Sequence, residues 1–344
     1  MRTTDFDYDL PAELIAQHPP AERDAARMLV VDPQQDRLAH ALVRDLPDLL
    51  APGDLLVLND TRVLPARLRG AREGGGAAEV LLLRPSGHDG LWEALIRPGR
   101  RLGEGARIRF SGTSLTATVE RKDGETAQVR LAGDPDPLAE VRRIGEMPTP
   151  PYIKQRLQAT ERYQTVFSRV EGSAAAPTAG LHFTEDLLAR IAGRGVEIAT
   201  VTLHVGLDTF RPVRVADPTQ HHIHREWYQV GEAAADAIGR TRRRAGRVVA
   251  VGTTCVRVLE TAAGNGGVSP GEGWTELLIL PGHRFRAVDA LLTNFHLPKS
   301  TLLMLVCAFA GHDRILAAYA EAVRQAYRFY SFGDCMFITA PAPA

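Results

Sequence analysis

Six short segments in the first half of the chain alternate between apolar and polar residues and are separated by Gly, Pro, Asp and Ser. An alternation with a period of two residues places successive side chains on opposite faces of an extended strand. Closely spaced short strands with turn residues between them predict a small antiparallel barrel or sandwich. The six predicted strands are residues 66–72, 77–84, 91–97, 106–111, 115–121 and 126–131.

A different pattern lies on both sides of this region. Before it, the sequence predicts a hairpin, a short helix and a buried strand, over residues 28–32 with 37–43, 45–50 and 54–59. After about residue 153, strands and helices alternate, which favours a layered α/β domain. The predicted strands there are 196–205, 247–251 and 287–292, and the predicted helices are 185–193, 232–244, 255–263 and 301–309.

The barrel segments therefore interrupt a larger domain. We expect a discontinuous α/β domain from residues 1–62 and 148–344, with the barrel domain inserted as residues 63–147. The Pro-rich stretch 146–152 (EMPTPPY) is a suitable return linker.

Composition excludes few functions. Lys+Arg and Asp+Glu both total 41, so net charge does not indicate nucleic acid, and any RNA site must come from local patches.

The first ten residues hold three aspartates and no apolar run, and the longest apolar stretch, 302–310, is far below the roughly 20 residues that span a bilayer. Three widely spaced cysteines suggest no disulfide framework. We expect a cytoplasmic protein without membrane insertion.

Five polar clusters containing Gly or Pro fall at predicted strand or helix ends. Each alone is more often a capping turn than a ligand site, but five at the ends of neighbouring elements favour a shared site. In the cluster 252–254 (GTT), backbone N–H groups and hydroxyls at a helix start are suited to a carboxylate, a ribose or a phosphate. The others are residues 59–62, 177–184, 204–210 and 294–301.

The histidines allow two interpretations. His182 and His296 are either core histidines satisfied by the backbone or candidates for proton transfer near neutral pH. On an extended strand, His222, His224 and Glu226 would share a face with metal-ligand spacing, yet an exposed polar face is the commoner explanation and no further ligand can be named. We therefore expect no metal.

Candidate RNA contacts are weaker. Four basic patches are the best candidates, although surface solvation is the ordinary explanation for each. They are Arg97, Arg100 and Arg101 on a predicted barrel turn, Arg142 and Arg143, Lys154 and Arg156, and the run Arg240, Arg242, Arg243, Arg244 and Arg247. Trp92, Tyr152 and Tyr163 have rings that stack on a splayed base or pack in a core.

No dinucleotide-binding, P-loop, nucleophile-elbow or zinc-deaminase motif is present, so dehydrogenase, NTPase and hydrolase functions lose support.

Nine runs, spread over most of the chain, carry a family resemblance. They are residues 6–19 (FDYDLPAELIAQHP), 58–68 (LNDTRVLPARL), 145–153 (GEMPTPPYI), 162–167 (RYQTVF), 175–184 (AAPTAGLHFT), 202–213 (TLHVGLDTFRPV), 251–261 (VGTTCVRVLET), 293–311 (TNFHLPKSTLLMLVCAFAG) and 327–338 (YRFYSFGDCMFI). Together they resemble the S-adenosylmethionine:tRNA ribosyltransferase-isomerases of queuosine biosynthesis. Three positions depart from the family pattern, which usually has Gly, Ser and Tyr where this chain has Asp208, Cys255 and His283.

The resemblance implies a three-layer α/β/α domain interrupted by a six-stranded β-barrel. It also implies the reaction: the ribosyl part of S-adenosylmethionine moves onto the aminomethyl group of 7-aminomethyl-7-deazaguanine at the tRNA wobble position, giving epoxyqueuosine, adenine and methionine. Such chemistry needs a base for a ribose 5′ proton, an acid for the departing adenine and a grip on the methionine carboxylate.

From this resemblance we expect a set of site residues. For proton transfer they are His182 and His296, with Glu226 and Asp334 as alternatives; for S-adenosylmethionine they are Thr178, Thr253, Thr254, Arg257, Asn294, Lys299 and Ser300. For tRNA they are Asn59, Asp60 and Arg62 together with Arg97, Arg100, Arg101 and Lys154. The expected partners are tRNA and S-adenosylmethionine, with no membrane, and we expect a monomer.

Two rival functions stay open from the residues. An S-adenosylmethionine-dependent RNA methyltransferase would release S-adenosylhomocysteine instead of adenine and methionine. A non-catalytic RNA-binding protein that uses the barrel would bind RNA without consuming S-adenosylmethionine.

Overall fold

The computed structural model describes residues 1–86, 90–124, 126–155, 157, 159–206 and 212–342. The chain forms two compact units, which are described separately. The large unit comprises Met1–Thr61, Pro151–Val170 and Ala176–Ala344, and the small unit comprises Arg62–Pro150 and Glu171–Ala175.

The N-terminal part of the chain supplies four strands. They are β1 (Arg27–Asp32), β2 (Arg37–Leu42), β3 (Leu55–Asn59) and β4 (Thr61–Val63). The pair β1–β2 is the predicted antiparallel hairpin, closed between Asp32 and Arg37. The predicted short helix is a 3-10 helix, Val43–Leu49.

Six strands then form a closed antiparallel barrel, as the alternation predicts. They are β5 (Arg67–Arg72), β6 (Ala77–Pro85), β7 (Leu91–Arg97), β8 (Arg107–Arg109), β9 (Thr116–Asp123) and β10 (Thr126–Ala132), in the order β10-β7-β6-β5-β8-β9. Alternate side chains fill the interior: in β7, Trp92, Ala94 and Ile96 are buried and their neighbours are not. Helix α1 (Pro137–Ile144) follows, capped by Asp136.

The rest of the chain completes the large unit. Strand β11 (Val170–Ser173) lies mostly in the small unit and pairs with β4. The strands of the large unit are β12 (Glu197–Leu203), β13 (Glu226–Val230), β14 (Val248–Val251), β15 (Ala263–Gly264), β16 (Gly267–Val268), β17 (Gly271–Thr275), β18 (Ala290–Asn294) and β19 (Cys335–Ile338). Its helices are α2 (Glu185–Gly193), α3 (Glu232–Arg243), α4 (Thr253–Ala262), α5 (Thr301–Ala310) and α6 (His312–Arg324). The predicted strand 287–292 is β18, which begins three residues later. The elements that were not predicted here are β11, β13, β15, β16, β17, β19 and α6.

A nine-stranded sheet forms the centre of the large unit, in the order β17-β13-β12-β3-β14-β18-β19-β1-β2 among the described residues. On one face, Leu56 and Leu58 of β3 pack with Phe183 and with Leu187 and Ile191 of α2. On the other face, α3 and α4 contact β12, β3 and β14. The fold is therefore a three-layer α/β/α domain interrupted in sequence by a six-stranded barrel.

The helices α5 and α6 are the ones to consider as a possible membrane span. Within the described residues, no single helix is long and apolar enough to cross a membrane. The pair α5 and α6 reaches the required length only when the two are taken together, and they are bent by 114° at their junction.

Candidate active site

Four neighbouring strands direct their carboxyl ends to one edge of the sheet. The strands β12, β3, β14 and β18 are parallel to each other. Ligand sites in such sheets lie beyond the carboxyl ends of the strands. A cavity that is partly open to solvent lies there, entirely within the large unit, and its wall carries residues that follow β12, β14 and β18.

The start of α4 forms one side of this cavity. Gly252 follows β14 with φ of +89°, a backbone conformation that disfavours a side chain, and it turns the chain directly into α4. Thr253 and Thr254 open the helix and line the cavity. The first N–H groups of a helix have no intrahelical partner and attract anions. The buried Oγ1 of Thr254 has no hydrogen-bond partner within the described chain, so this end has unused polar groups for a ligand.

His296 supplies a neutral imidazole to the cavity wall. Burial lowers its pKa to about 3, so the ring is uncharged at neutral pH. Nε2 lies 2.9 Å from Oγ1 of Thr293, and the backbone on both sides of the ring is held: the His296 N–H donates to the Tyr319 hydroxyl, and its carbonyl accepts from Tyr8. The imidazole therefore has a fixed place in the wall and retains a lone pair.

Asn294 and Thr178 form another part of the wall. Asn294 ends β18, and Thr178 begins the 3-10 helix Thr178–His182; the Thr178 hydroxyl donates to Oδ1 of Asn294 at 3.0 Å. His182, at the end of that 3-10 helix, is not on the wall of this cavity. It lies behind Asn294, with Nε2 3.2 Å from Nδ2 of the amide, and burial lowers its pKa to about 4.

Tyr152, Tyr330 and Ser331 complete the polar wall. The hydroxyls of Tyr152 and Ser331 are 2.7 Å apart, and the rings of Tyr152 and Tyr330 have centroids 4.7 Å apart. Burial raises the pKa of Tyr330 to about 12 and raises that of Tyr152 as well, so both keep their protons at neutral pH. Tyr152 was predicted to stack on a base or to pack in a core, whereas Tyr330 and Ser331 were not predicted as site residues, although the run 327–338 contains them.

Four residues expected to contact substrate do not line this cavity. Glu226 and Arg257 form a buried ion pair with each other. Asp334 accepts the backbone N–H groups of Arg27 and Arg328, which gives its carboxylate a structural use. Lys299 pairs with Asp7 at 2.7 Å.

Ser300 also has a structural use. Its hydroxyl accepts the N–H of Leu303 and so caps α5, and the side chain is fully buried. Capping uses the group that a ligand would need, and Ser300, which was expected to bind S-adenosylmethionine, is not in the cavity wall.

Asn59 and Asp60 likewise use their polar groups within the fold. The Asn59 amide bonds to both backbone groups of Leu203, and Asp60 accepts from Thr202 and Arg169. They fix the ends of β3 and β12 at the same edge of the sheet as the cavity, but they are not in its wall.

The expected RNA-binding residues differ in exposure. Arg97, Arg100, Arg101 and Lys154 are exposed, and Arg62 is half-buried. Of the aromatic candidates, Tyr163 is fully buried and Trp92 is 7% exposed inside the barrel, so neither presents a ring to a base. Arg156 lies outside the described residues.

The metal alternative has no support in the structure. His222 and His224 precede β13, which begins at Glu226, so the three do not lie on one strand. In the part of the chain that the structure describes, no group of three or more His, Cys, Asp or Glu is arranged to hold a metal ion.

The three departures from the family pattern have different surroundings. Asp208 lies outside the described residues. Cys255 is fully buried in α4, where burial raises its pKa to about 12, and His283 lies 3.4 Å from the buried carboxylate of Glu260. Neither Cys255 nor His283 is in the cavity wall.

Four parallel strands of a mixed sheet end at a cavity that holds a helix start, a neutral imidazole and paired tyrosines, which is the architecture of an α/β enzyme. A family model described as queuosine biosynthesis protein matches residues 3–338. The chain therefore belongs to the family of S-adenosylmethionine:tRNA ribosyltransferase-isomerases, as its relatives indicate.

The relatives match over nearly their whole length. The S-adenosylmethionine:tRNA ribosyltransferase-isomerase of Symbiobacterium thermophilum is 58% identical over 98% of this chain and 100% of its own, and that of Citrifermentans bemidjiense is 54% identical over 98% and 100%. The crystal structure of S-adenosylmethionine tRNA ribosyltransferase from Thermotoga maritima is similar with a TM-score of 0.57 and 38% identity, covering 97% of this chain and 99% of that one.

Proposed function

We propose that this enzyme transfers and isomerises the ribosyl moiety of S-adenosylmethionine onto the aminomethyl group of 7-aminomethyl-7-deazaguanine at the tRNA wobble position. The products are epoxyqueuosine-tRNA, adenine and methionine. The family relationship gives the reaction. The observation that carries the proposal is one cavity in which the helix start at Thr254, the neutral His296 and the Tyr152–Ser331 pair meet.

The amino-acid end of S-adenosylmethionine binds at the start of α4 in this proposal. Its carboxylate takes the free N–H groups of Thr253 and Thr254, and the unpartnered Thr254 hydroxyl supplies a further hydrogen bond. The positive end of the helix favours the negative charge. The cavity wall near this helix includes Val205 and Leu302, which exclude water from the reacting centre.

Proton transfer falls to groups on the wall. His296 is neutral and accepts the proton from the ribose C5′ position. The Tyr152 and Ser331 hydroxyls donate hydrogen bonds to the adenine as it leaves, and the proton taken up by His296 passes to the departing adenine nitrogen, which restores the neutral imidazole. Glu226 and Asp334, which have structural partners, take no part in proton transfer.

The tRNA binds through the exposed arginines of the barrel turn, Arg97, Arg100 and Arg101, with Arg62 and Lys154 adding positive charge.

Consistent with a tRNA substrate and three buried free cysteines, we propose a cytoplasmic enzyme. We further propose that it acts as a monomer. Analytical sedimentation at the enzyme concentration used in the assays tests this proposal.

One incubation tests the reaction. The enzyme is mixed with S-adenosylmethionine and tRNA carrying the deazaguanine precursor, and nucleosides and small molecules are analysed by mass spectrometry. We expect epoxyqueuosine, adenine and methionine in equal amounts. S-adenosylhomocysteine would instead indicate a methyltransferase, and tRNA binding without consumption of S-adenosylmethionine would indicate a binding protein; either result rejects the proposal.

A further inference from the structure

His182 lies in the layer of side chains directly behind the cavity wall. It is 2% exposed and ends the 3-10 helix Thr178–His182. Its Nε2 is 3.2 Å from Nδ2 of Asn294. Because an amide nitrogen only donates, the imidazole nitrogen accepts this hydrogen bond and carries no proton.

The opposite side of the ring fixes this arrangement. The ring also hydrogen-bonds to the backbone of Arg23. A neutral imidazole has one donor and one acceptor nitrogen, so the proton lies on Nδ1, facing the Arg23 carbonyl. Asp334, Arg328 and Arg23 are the charged groups that act on the ring, and burial outweighs them in keeping it neutral. His182 is thus a fixed acceptor without contact to the cavity.

The His182 acceptor is one of three that determine which way the Asn294 amide points. Nδ2 also faces the carbonyl oxygens of Tyr330, at 3.2 Å, and Asp334, at 3.4 Å. A reversed amide would place Oδ1 against three acceptors, so the nitrogen must face His182 and the oxygen must face Thr178. The Thr178 hydroxyl then donates its hydrogen to Oδ1 at 3.0 Å.

The last link in this network faces the cavity. Since the Thr178 hydrogen is committed to Asn294, its oxygen offers only lone pairs to a ligand. The donors of a sulfonium nucleoside are the ribose hydroxyls, the adenine amino group and the ammonium group, whereas the carboxylate is excluded because it has no hydrogen to give. With the amino-acid end placed at the start of α4, the ribose hydroxyls are the donors assigned to Thr178. A hydrogen-bonding site of this kind discriminates strongly against ligands that lack the hydroxyl.

We propose that His182 is a positioning residue: through Asn294 it orients Thr178 as a hydrogen-bond acceptor for a ribose hydroxyl of S-adenosylmethionine. This inference rests on the proposed function for the identity of the ligand. It assigns His182 no proton transfer, in contrast to the first expectation from the sequence.

Two substitutions of His182 separate positioning from proton transfer. His182→Gln can keep an acceptor oxygen toward Asn294 but cannot carry a proton, and His182→Leu removes the acceptor. We expect His182→Leu to raise the Kd for S-adenosylmethionine, measured by calorimetry, about tenfold, and His182→Gln to restore most of the affinity and turnover. A proton carrier would instead lose kcat about 100-fold or more in both variants with Kd unchanged.

A double-mutant cycle tests the route through Thr178. Thr178→Val removes the acceptor that faces the ligand, and Thr178→Ser retains it. If His182 acts through Thr178, His182→Leu adds less than about twofold to the Kd of Thr178→Val. Independent, multiplied losses would overturn the inference, as would an unchanged Kd in His182→Leu.

The controls keep the outcomes distinct. Wild-type binding and turnover are measured first, and their absence would count against the proposed function alone. Thermal unfolding monitors each variant. If His182→Leu does not fold, His182→Gln and the Thr178 pair decide: turnover by His182→Gln within about threefold of wild type, with weaker binding only in Thr178→Val, supports the inference, and a 100-fold loss of kcat in His182→Gln rejects it.

Discussion

Glu226 and Arg257 form an ion pair whose side chains are only 4% and 6% exposed. Oε1 of Glu226 also accepts the Gly206 N–H at 2.7 Å, and Nε of Arg257 donates to the Leu277 carbonyl at 3.1 Å. Arg257 lies one turn after Thr253 and Thr254 in α4. The pair therefore fastens the helix that opens onto the cavity to the start of β13 and to the chain that follows Val205 in the cavity wall.

Removing one charge of this pair should be strongly destabilising. In Glu226→Gln, Arg257 is left buried without its counter-charge, and we expect the free energy of unfolding to fall by about 3–5 kcal/mol in urea titrations. The neighbouring pair of Arg225 and Glu276 is a matched control, because its side chains are 64% and 63% exposed. Glu276→Gln should cost at most about 1 kcal/mol. Equal losses in the two variants would contradict the assignment.

The fold could be predicted wherever a local pattern has one physical meaning. Alternation of period two gave all six barrel strands, because each faces a filled interior on one side only. The predicted helix 185–193 is α2, and Thr184 caps it through the Leu187 N–H. By contrast, β19 (CMFI) is buried on both faces, so it has no alternation to identify it.

The site was only partly predictable for a related reason. The clusters 177–184, 252–254 and 294–301 do supply cavity residues, since parallel strands direct their carboxyl ends to one edge. Sequence does not give the direction of a side chain or its partner. Arg257 and Glu226 each suit a ligand by type, and only three-dimensional contact reveals that they satisfy each other across 31 positions.

Loss of the Thr254 hydroxyl should weaken binding without affecting the fold. Its Oγ1 has no partner in the described chain, so Thr254→Val removes no internal hydrogen bond. A hydrogen bond to a charged group contributes about 1.5–3 kcal/mol, so the Kd for S-adenosylmethionine should rise about tenfold to a hundredfold by calorimetry. Thr254→Ser, which keeps the hydroxyl, is the matched variant. An unchanged Kd in Thr254→Val would remove Thr254 from the binding site.

Acid should destabilise the protein through His296. Its ordinary pKa of 6.5 is lowered by burial to about 3. Between these values the unfolded chain binds more protons than the folded one. The contribution of His296 to the free energy of unfolding is therefore fully present above pH 6.5 and is lost as the pH decreases towards 3. One such histidine changes the free energy of unfolding by up to about 1.4 kcal/mol for each pH unit. Urea titrations of wild type and His296→Gln from pH 7 to 4.5 should show a smaller slope in the variant.

His312 provides a control of opposite sign for this experiment. Burial disfavours its charged form, but hydrogen bonds to Asp313 and to the Asp5 carbonyl outweigh that effect and raise its pKa. Its contribution to stability is therefore present at low pH and is lost as the pH rises through the folded pKa. His312→Gln should make the acid loss steeper. A change of the same sign in both variants would show that the pH dependence comes from other groups.

The barrel turn should determine tRNA affinity without affecting S-adenosylmethionine. Arg97 ends β7, and Arg100 and Arg101 lie in the 3-10 turn Gly99–Arg101; all three are exposed and form no ion pair within the described residues. Replacing Arg100 and Arg101 by Gln should raise the KM for tRNA and reduce the slope of log affinity against log salt by about 1 for each lost phosphate contact. The Kd for S-adenosylmethionine should be unchanged.

Arg109 offers a matched control on the same barrel. It is 67% exposed, but its guanidinium is paired with Glu73 at 2.5 Å, so it has less positive charge to offer a phosphate. Arg109→Gln should leave the salt slope near that of wild type, because a guanidinium held by Glu73 makes no phosphate contact in this proposal. If Arg109→Gln weakened tRNA binding as much as the double replacement, the effect would reflect the overall charge of the barrel, and the turn would lose its assignment as the RNA contact.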